Sequence, residues 1–127
     1  MKISILMLIC AATVQTACKK NQITKTQVVV TGTWELRALK GGNLVPTNYP
    51  PGNGHSITFQ NNAYIDYSGS AVVTRGNFMQ HADNSGNVDI SFSSGDFQNE
   101  SALFQNDTLR IKPFNPDVAT GYYVKQP

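Results

Sequence analysis

Cysteine is scarce in this sequence. Cys10 and Cys18 are the two cysteines among the 127 residues, and both lie near the N-terminus. A domain formed by the residues after Cys18 has no disulfide to stabilise it, so it must depend on a hydrophobic core. The chain beyond Cys18 is long enough for one such core, and we expect a single domain.

Charge is also sparse. Charged side chains make up 14% of the sequence, and the formal net charge is +2 at pH 7. The lysines and arginines form no patch interleaved with aromatic residues, which is the pattern typical of a nucleic-acid-binding surface. We therefore expect no nucleic-acid partner.

The usual sequence signals of catalysis are missing. There is no Gly-x-Ser-x-Gly motif, no carboxylate pair with the layout of a glycosidase, and no glycine-rich loop ahead of a helix. The two histidines, His55 and His81, could hold zinc only if the fold brought them together with a carboxylate such as Asp83. We favour turn positions for these residues. We predict no catalytic residue, no metal site and no cofactor, hence a protein that is not an enzyme.

Helical periodicity is absent as well. The sequence instead contains short stretches in which apolar and polar residues alternate. Stretches of apolar and polar residues are separated by Asn, Gly, Asp, Ser and Pro, which is typical of strands joined by turns. The predicted strands are Thr33–Leu39, His55–Gln60, Ala63–Ser68, Ala71–Met79, Asn87–Ser93, Glu100–Gln105, Thr108–Lys112 and Thr120–Lys125. Asn61-Asn62 and Asn106-Asp107 are predicted tight hairpin turns, because Asn and Asp tolerate positive φ. His81 to Gly86 is a predicted turn, and Gly76 a predicted bulge.

The alternation also assigns side chains to faces. One face of the first strand carries Trp34, Leu36 and Ala38, and the opposite face carries Glu35 and Arg37. We expect the following residues to point inward: Ile57, Phe59, Val88, Ile90, Phe92, Leu109 and Ile111. In the third predicted strand, Ile65 is on one face and Tyr64 and Asp66 are on the other. In the last, Tyr122 and Val124 share one face, and Tyr123 and Lys125 share the other.

Eight short strands predict an all-β fold. A sheet that closes on itself has no exposed edge, so an eight-stranded up-and-down antiparallel barrel is the first choice and an open sandwich the second. An eight-stranded barrel is either filled by side chains or holds one small ligand.

The N-terminus has the pattern of a secretory signal. Lys2 precedes an apolar run, residues 3–14, that is shorter than the roughly 20 residues needed to span a membrane. The segment Gln15-Thr16-Ala17-Cys18 resembles the lipobox of bacterial lipoproteins, although Gln15 stands where Leu or Val is usual. The resemblance implies cleavage before Cys18 and acylation of Cys18, with palmitate among the chains. Plain secretion and an uncleaved anchor are the alternatives.

This resemblance sets the expected organisation. Residues 1–17 are the predicted signal peptide, residues 18–31 a lipidated flexible tether, and residues 32–127 the barrel domain. Lys19 follows the cysteine where Asp would favour the inner membrane. We therefore expect a domain anchored through Cys18 in the cell envelope, at the outer membrane of a Gram-negative bacterium.

The start of the first strand resembles the lipocalins. Gly32-Thr33-Trp34 is similar to their Gly-x-Trp opening, and the layout through Lys125 is similar to lipocalin-like domains of small bacterial lipoproteins. META-type lipoprotein domains share this opening but carry cysteine motifs that are missing here. The lipocalin resemblance implies that Gly32 and Trp34 close one end of the barrel with a late arginine over the indole, and Arg110 is the candidate. A large core residue is the simpler interpretation of Trp34.

The resemblance also implies a ligand. We expect a small hydrophobic or amphipathic molecule inside a monomeric barrel. The candidate lining residues are Trp34, Tyr49, Phe59, Tyr67, Phe92 and Tyr122. Tyr49 lies in a long loop, Lys40 to Gly54, that would cover the open end or contact a partner. The alternative is a packed barrel without a cavity, which would act through its surface as an accessory lipoprotein.

Overall fold

The structure is a computed structural model that describes residues 30–98 and 100–127. These residues form nine strands: β1 (Gly32–Lys40), β2 (Thr47–Asn48), β3 (His55–Gln60), β4 (Ala63–Ser68), β5 (Ala71–Ala82), β6 (Val88–Phe92), β7 (Ser101–Gln105), β8 (Thr108–Lys112) and β9 (Thr120–Lys125). The described part of the chain contains no helix. The predicted signal peptide, and the tether up to residue 29, lie outside the described residues.

The strands close into an antiparallel barrel. From β3 to β9 each strand pairs with the next along the chain, and β1 pairs with both β3 and β9. Eight of the strands in the described residues therefore form a closed up-and-down barrel, which confirms the predicted fold and is consistent with a lipocalin-like barrel. The two-residue β2 adds to the edge of β1 opposite Ala38 and Leu39.

The two predicted hairpins are confirmed by their backbone angles. Asn61 and Asn62 have φ of 51° and 62°, and Asn106 and Asp107 have φ of 50° and 58°. Positive φ at both central residues matches the right-handed twist of the flanking strands. Each turn therefore fixes the register of its hairpin, with Gln60 opposite Ala63 and Gln105 opposite Thr108.

Three details differ from the sequence prediction. β5 continues through His81 and Ala82, because these residues pair with Asp89 and Val88, so the predicted turn starts too early. The irregularity in β5 lies opposite the step from Asp66 to Tyr67 and not at Gly76. The ladder between β1 and β9 shifts between Leu36 and Ala38.

The shift in β1 changes the face of one predicted core residue. Leu36 is paired with Tyr123, whereas Ala38 is paired with Tyr122, the next residue back along β9. Successive residues of a strand point to opposite faces, so Ala38 is on the outer face with Tyr122. The prediction that Ala38 shares a face with Trp34 and Leu36 is therefore wrong, although Ala38 is buried.

Candidate functional site

The two ends of the barrel are built differently. One end carries the turns 61–62, 83–87 and 106–107, and the chain enters β1 there. The other end carries the loops 41–54, 93–100 and 113–119. We call them the closed end and the open end. Binding sites in small barrels lie in the mouth, which directs attention to the open end.

Trp34 fills the closed end. The side chain is 2% exposed, its Nε1 donates a hydrogen bond to the Val30 carbonyl at 2.8 Å, and the Phe104 ring meets it edge-on. Val30 in turn donates its N–H to Gln80 Oε1 at 3.4 Å. The segment before β1 is thus bonded to groups inside the barrel and covers this end.

A cation lies over the Trp34 ring, and it comes from the last strand. Lys125 Nζ is 5.8 Å from the ring centroid, within the range of cation–π attraction. Arg110, the sequence candidate, is on the outer face between Leu103 and Tyr122, and its guanidinium donates to Gln105. Gly32 has φ of 126°, and a Cβ there would come within 2.8 Å of Lys125 Cε, so the glycine allows Lys125 to lie in this place.

The middle of the barrel is packed with aromatic rings. Phe59 and Phe78 meet edge-on with centroids 4.9 Å apart, and Tyr64 and Phe92 meet in the same way at 5.1 Å. Phe97 stacks on Tyr64 at 5.2 Å. Phe59 and Phe92, both sequence candidates for ligand contact, are buried in this cluster. Their first role is therefore to fill the core.

The hydroxyl of Tyr64 holds the loop between β6 and β7. It donates to the Ser94 carbonyl at 3.0 Å and accepts from the Phe97 N–H at 3.3 Å. β6 pairs with β5 only from Phe78 onward, and the Ser94 hydroxyl accepts from the Asn77 N–H. The loop therefore takes the place of a strand beside the first half of β5. Burial raises the pKa of the Tyr64 phenol.

Two half-buried carboxyl groups, Asp66 and Glu100, lie in the open half of the barrel. Asp66 is directly opposite Ile57, which is fully buried, so the two side chains share the inner face. Tyr123 is opposite Leu109, also fully buried. Glu100 lies in the loop just before β7, two residues ahead of the buried Ala102, and is half-buried.

These three groups influence one another. Burial raises the pKa of Asp66, while the Tyr67 N–H and His55 act in the opposite direction. Burial, followed by the charge of Asp66, raises the pKa of Glu100. Burial raises the pKa of the Tyr123 phenol far above its usual value, and both carboxylates add to the effect. The open half is therefore a half-buried acidic environment with a phenol beneath it.

The long first loop is fixed to the outside of β1 by Glu35. The carboxylate is 3% exposed and accepts from the N–H groups of Gly52 and Asn53 at 2.6 and 3.1 Å. Its other oxygen pairs with Arg37 at 3.1 Å. Tyr49 donates its N–H to the Arg37 carbonyl and packs its ring edge-on against His55. Tyr49 is thus bonded to the wall at the open end.

The remaining sequence candidates are on the outer face. Tyr67 pairs with Ser56 and Val72, and Tyr122 pairs with Ala38 and lies under Lys40 Nζ at 5.3 Å. Asp66, Glu100, Tyr123 and Phe97 were not among the candidates. Cys18 lies outside the described residues.

The histidines do not share a turn. His81 is paired with Asp89 inside the sheet, and Asp83 organises the turn after it by accepting from Ser85 and Asn87. The Asn87 side chain is the first cause of a lowered pKa at Asp83. Within residues 30–98 and 100–127, no three His, Cys, Asp or Glu residues are placed to hold a metal ion.

A comparison of this chain with family models, with curated proteins and with solved structures found no match. In the part of the chain that the structure describes, no helix is long and apolar enough to cross a membrane.

Proposed function

We propose that this protein is a lipocalin-like lipoprotein that binds a small amphipathic molecule in the open half of its barrel. The apolar part of the ligand lies against the aromatic cluster, at the level of Phe97, and its polar part reaches Asp66, Glu100 and Tyr123. The protein acts as a monomer and is not an enzyme. Cys18 carries the acyl chains that hold the domain at the outer membrane.

One observation carries the proposal. The barrel is filled by side chains at its closed end and centre, while its open half contains two half-buried carboxyl groups, Asp66 on the inner face and Glu100 in the loop before β7. A barrel that only had to fold would place apolar side chains there, because an unpaired carboxylate loses hydration on burial. Perturbed acidic groups in a concave site are a general mark of a binding site.

The position of the chain entry supports the orientation that the proposal needs. Val30 leads into β1 at the closed end. The mouth therefore lies at the end of the barrel opposite to Val30, the first residue that the structure describes. Two acyl chains would be enough for stable attachment.

Binding is tested by mass and by fluorescence. The mature protein, from Cys18 onward, purified from the envelope without harsh detergent, should carry a small molecule in one-to-one ratio in native mass spectrometry. Phe97→Trp adds a fluorescent reporter at the proposed site, and Phe114→Trp adds one on an exposed loop. The envelope extract that supplies the ligand should shift the emission at position 97 and leave position 114 unchanged. A bare mass together with no shift at position 97 would refute the proposal.

A second function is favoured by an exposed apolar group at the same end. Leu44, Val45, Phe114 and Val118 are exposed on two loops that the bond from Asn43 N–H to the Asp117 carbonyl joins. Phe114 is 86% exposed. Exposed apolar groups of this kind mark contact surfaces, so the alternative is an accessory lipoprotein that docks a partner with these loops. Loss of a co-purified partner in Phe114→Ser, with ligand content unchanged, would favour it.

A further inference from the structure

We infer that a groove on the outer face of the barrel, between β6 and β8, binds a small zwitterion, a molecule that carries both an oxyanion and an ammonium group. The oxyanion lies between Arg110 and Lys112, and the ammonium group lies against Asp89. This groove is separate from the mouth of the barrel. The inference therefore adds a second site and does not depend on the proposed function.

The groove is large enough for a small molecule and is lined by charges of both signs. Its volume is about 410 Å³, within the range of small-molecule sites. Arg110, Lys112 and Asp89 all line it, and the hydroxyl groups of Ser101 and Thr120 lie among them. A neighbouring groove of about 500 Å³ shares Asp89 and Ser101, so the depression continues across the sheet toward β5.

The pairing of the strands explains the depression. Ser91 is opposite Ser101, and Ser101 is opposite Lys112, so two short side chains are neighbours on the outer face. The adjacent row across the strands carries longer side chains, with Asp89 opposite Leu103. The two serines therefore form a low floor that offers hydroxyl groups to a ligand, and the longer side chains form the walls.

The charges lie on opposite sides of the groove. Arg110 and Lys112 are two residues apart on β8 and share one face, about 7 Å from each other along the strand. Asp89 is in the same cross-strand row as Arg110, but Leu103 lies between them. The backbones that carry Asp89 and Arg110 are therefore about 10 Å apart, the width of two strand spacings. The β8 side of the groove is positive, and the β6 side is negative.

These charges do not neutralise one another. Among residues 30–98 and 100–127, the one ion pair joins Arg37 to Glu35, and no charged group of the groove takes part in it. The Arg110 guanidinium donates a hydrogen bond to the neutral side chain of Gln105 at 3.0 Å. This contact orients the guanidinium and leaves its other N–H groups available to a ligand.

A zwitterion complements this arrangement better than an ion of either sign. The arginine fork matches a phosphate or a carboxylate, and the lysine adds a second positive charge beside it. The Asp89 carboxylate can accept hydrogen bonds from an ammonium group. A simple anion would be repelled by Asp89, and a simple cation would be repelled by Arg110 and Lys112.

Four probes test the inference by NMR titration of the mature protein, from Cys18 onward, labelled with nitrogen-15. O-phosphoethanolamine carries both charges, ethyl phosphate lacks the amine, ethanolamine lacks the phosphate, and 4-aminobutanoate has a carboxylate instead of the phosphate. We expect a zwitterion to shift the amides of Ser101, Leu103 and Lys112. It should bind about two- to fivefold more tightly than ethyl phosphate or ethanolamine, which is the range for an exposed ion pair. The tighter of the two zwitterions identifies the oxyanion.

Matched variants locate the effect. Asp89→Asn should remove the preference for phosphoethanolamine over ethyl phosphate without weakening the binding of ethyl phosphate. Arg110→Gln with Lys112→Gln should weaken phosphoethanolamine about tenfold, because both cations that face the oxyanion are lost. Arg75→Gln removes an exposed cation from β5, outside the groove, and should leave all affinities unchanged.

Vesicles distinguish a lipid headgroup from a free solute. Displacement of phosphoethanolamine by vesicles of phosphatidylethanolamine and phosphatidylglycerol, but not by phosphatidylglycerol alone, would identify the headgroup as the ligand. Displacement by neither would identify a free solute. Equal affinity for all four probes, or amide shifts confined to residues outside the groove, would overturn the inference. The native mass measurement of the mouth is independent of these titrations, so either proposal can fail without the other.

Discussion

Asp66 lies directly opposite Ile57 in the ladder between β3 and β4, and Ile57 has no exposed surface. A carboxylate and a core isoleucine therefore share the inner face of one hairpin. The burial that stabilises Ile57 disfavours the charged form of Asp66, and this is the first cause of its raised pKa. The charged form of Asp66 therefore lowers the stability of the hairpin, but it places a negative charge at the mouth.

This loss of stability predicts a pH-dependent effect of Asp66→Asn. A free aspartate titrates at about 3.9, and the folded protein raises the pKa of Asp66, so the folded state holds its proton more strongly. The stabilisation that Asp66 contributes is therefore fully present below about pH 4 and is lost as pH rises through its folded pKa. Asparagine does not titrate. The melting temperature of the Asp66→Asn variant should therefore be higher than that of the wild type at pH 7 and equal to it near pH 3.

Glu100→Gln is expected to behave in the same way, because burial and the charge of Asp66 raise the pKa of Glu100. Thermal melts of both variants between about pH 3 and pH 8 provide the measurement. Asp83→Asn is the opposite control, since the folded protein lowers the pKa of this exposed carboxyl. A gain at neutral pH in Asp83→Asn, or a loss in the other two, would contradict the assignment of unpaired acids to the mouth.

Tyr64→Phe tests the anchor of the loop 93–98. The substitution removes the hydroxyl that bonds the Ser94 carbonyl and the Phe97 N–H, while the ring contacts remain. We expect the free energy of unfolding to fall by about 1 kcal/mol, since two part-buried backbone groups lose a partner. Hydrogen exchange at Phe97 should accelerate. Tyr67→Phe, on the outer face, should change neither quantity, and equal effects of the two substitutions would refute the anchor.

How far the sequence predicts this site depends on the turns. A two-residue turn at Asn61-Asn62 fixes which residues face each other, so an inward Ile57 requires an inward Asp66. The sequence therefore contained the signal for Asp66, and combining the turn with the face assignment would have found it. The same reasoning holds for Ile111 and Ala102 across the turn at Asn106-Asp107.

The last strand could not be assigned by this route. β9 follows a seven-residue loop, 113–119, whose length leaves the register open, so alternation separates Tyr122 from Tyr123 but does not say which is inside. Pairing with Leu109 and Leu36 puts Tyr123 inside. Lys125 over Trp34 follows from the same register. Glu100 and Phe97 lie in a loop without a repeating pattern, and only the tertiary contacts of Tyr64 place that loop.

Glu35→Gln should release the first long loop. The amide retains one acceptor oxygen but loses the charge that binds two N–H groups and Arg37. We expect the free energy of unfolding to fall by about 1–3 kcal/mol. Limited proteolysis should show faster cleavage within residues 41–54. The outer-face variant Asp89→Asn should resist cleavage as the wild type does; equal resistance of Glu35→Gln would show that the loop is held by other contacts.

Cys18→Ser tests the anchor. The lipobox pattern predicts that acyl chains on Cys18 hold the protein in the membrane, so the serine variant should lose label from radioactive palmitate and move from the membrane fraction to the soluble one. Cys10→Ser is the matched control, because Cys10 lies in the predicted signal peptide, and it should keep both label and location. Label retained in Cys18→Ser, or lost in Cys10→Ser with processing intact, would refute acylation at Cys18. Because the proposed mouth is at the end of the barrel away from Val30, the soluble variant should still carry the proposed ligand in native mass spectrometry.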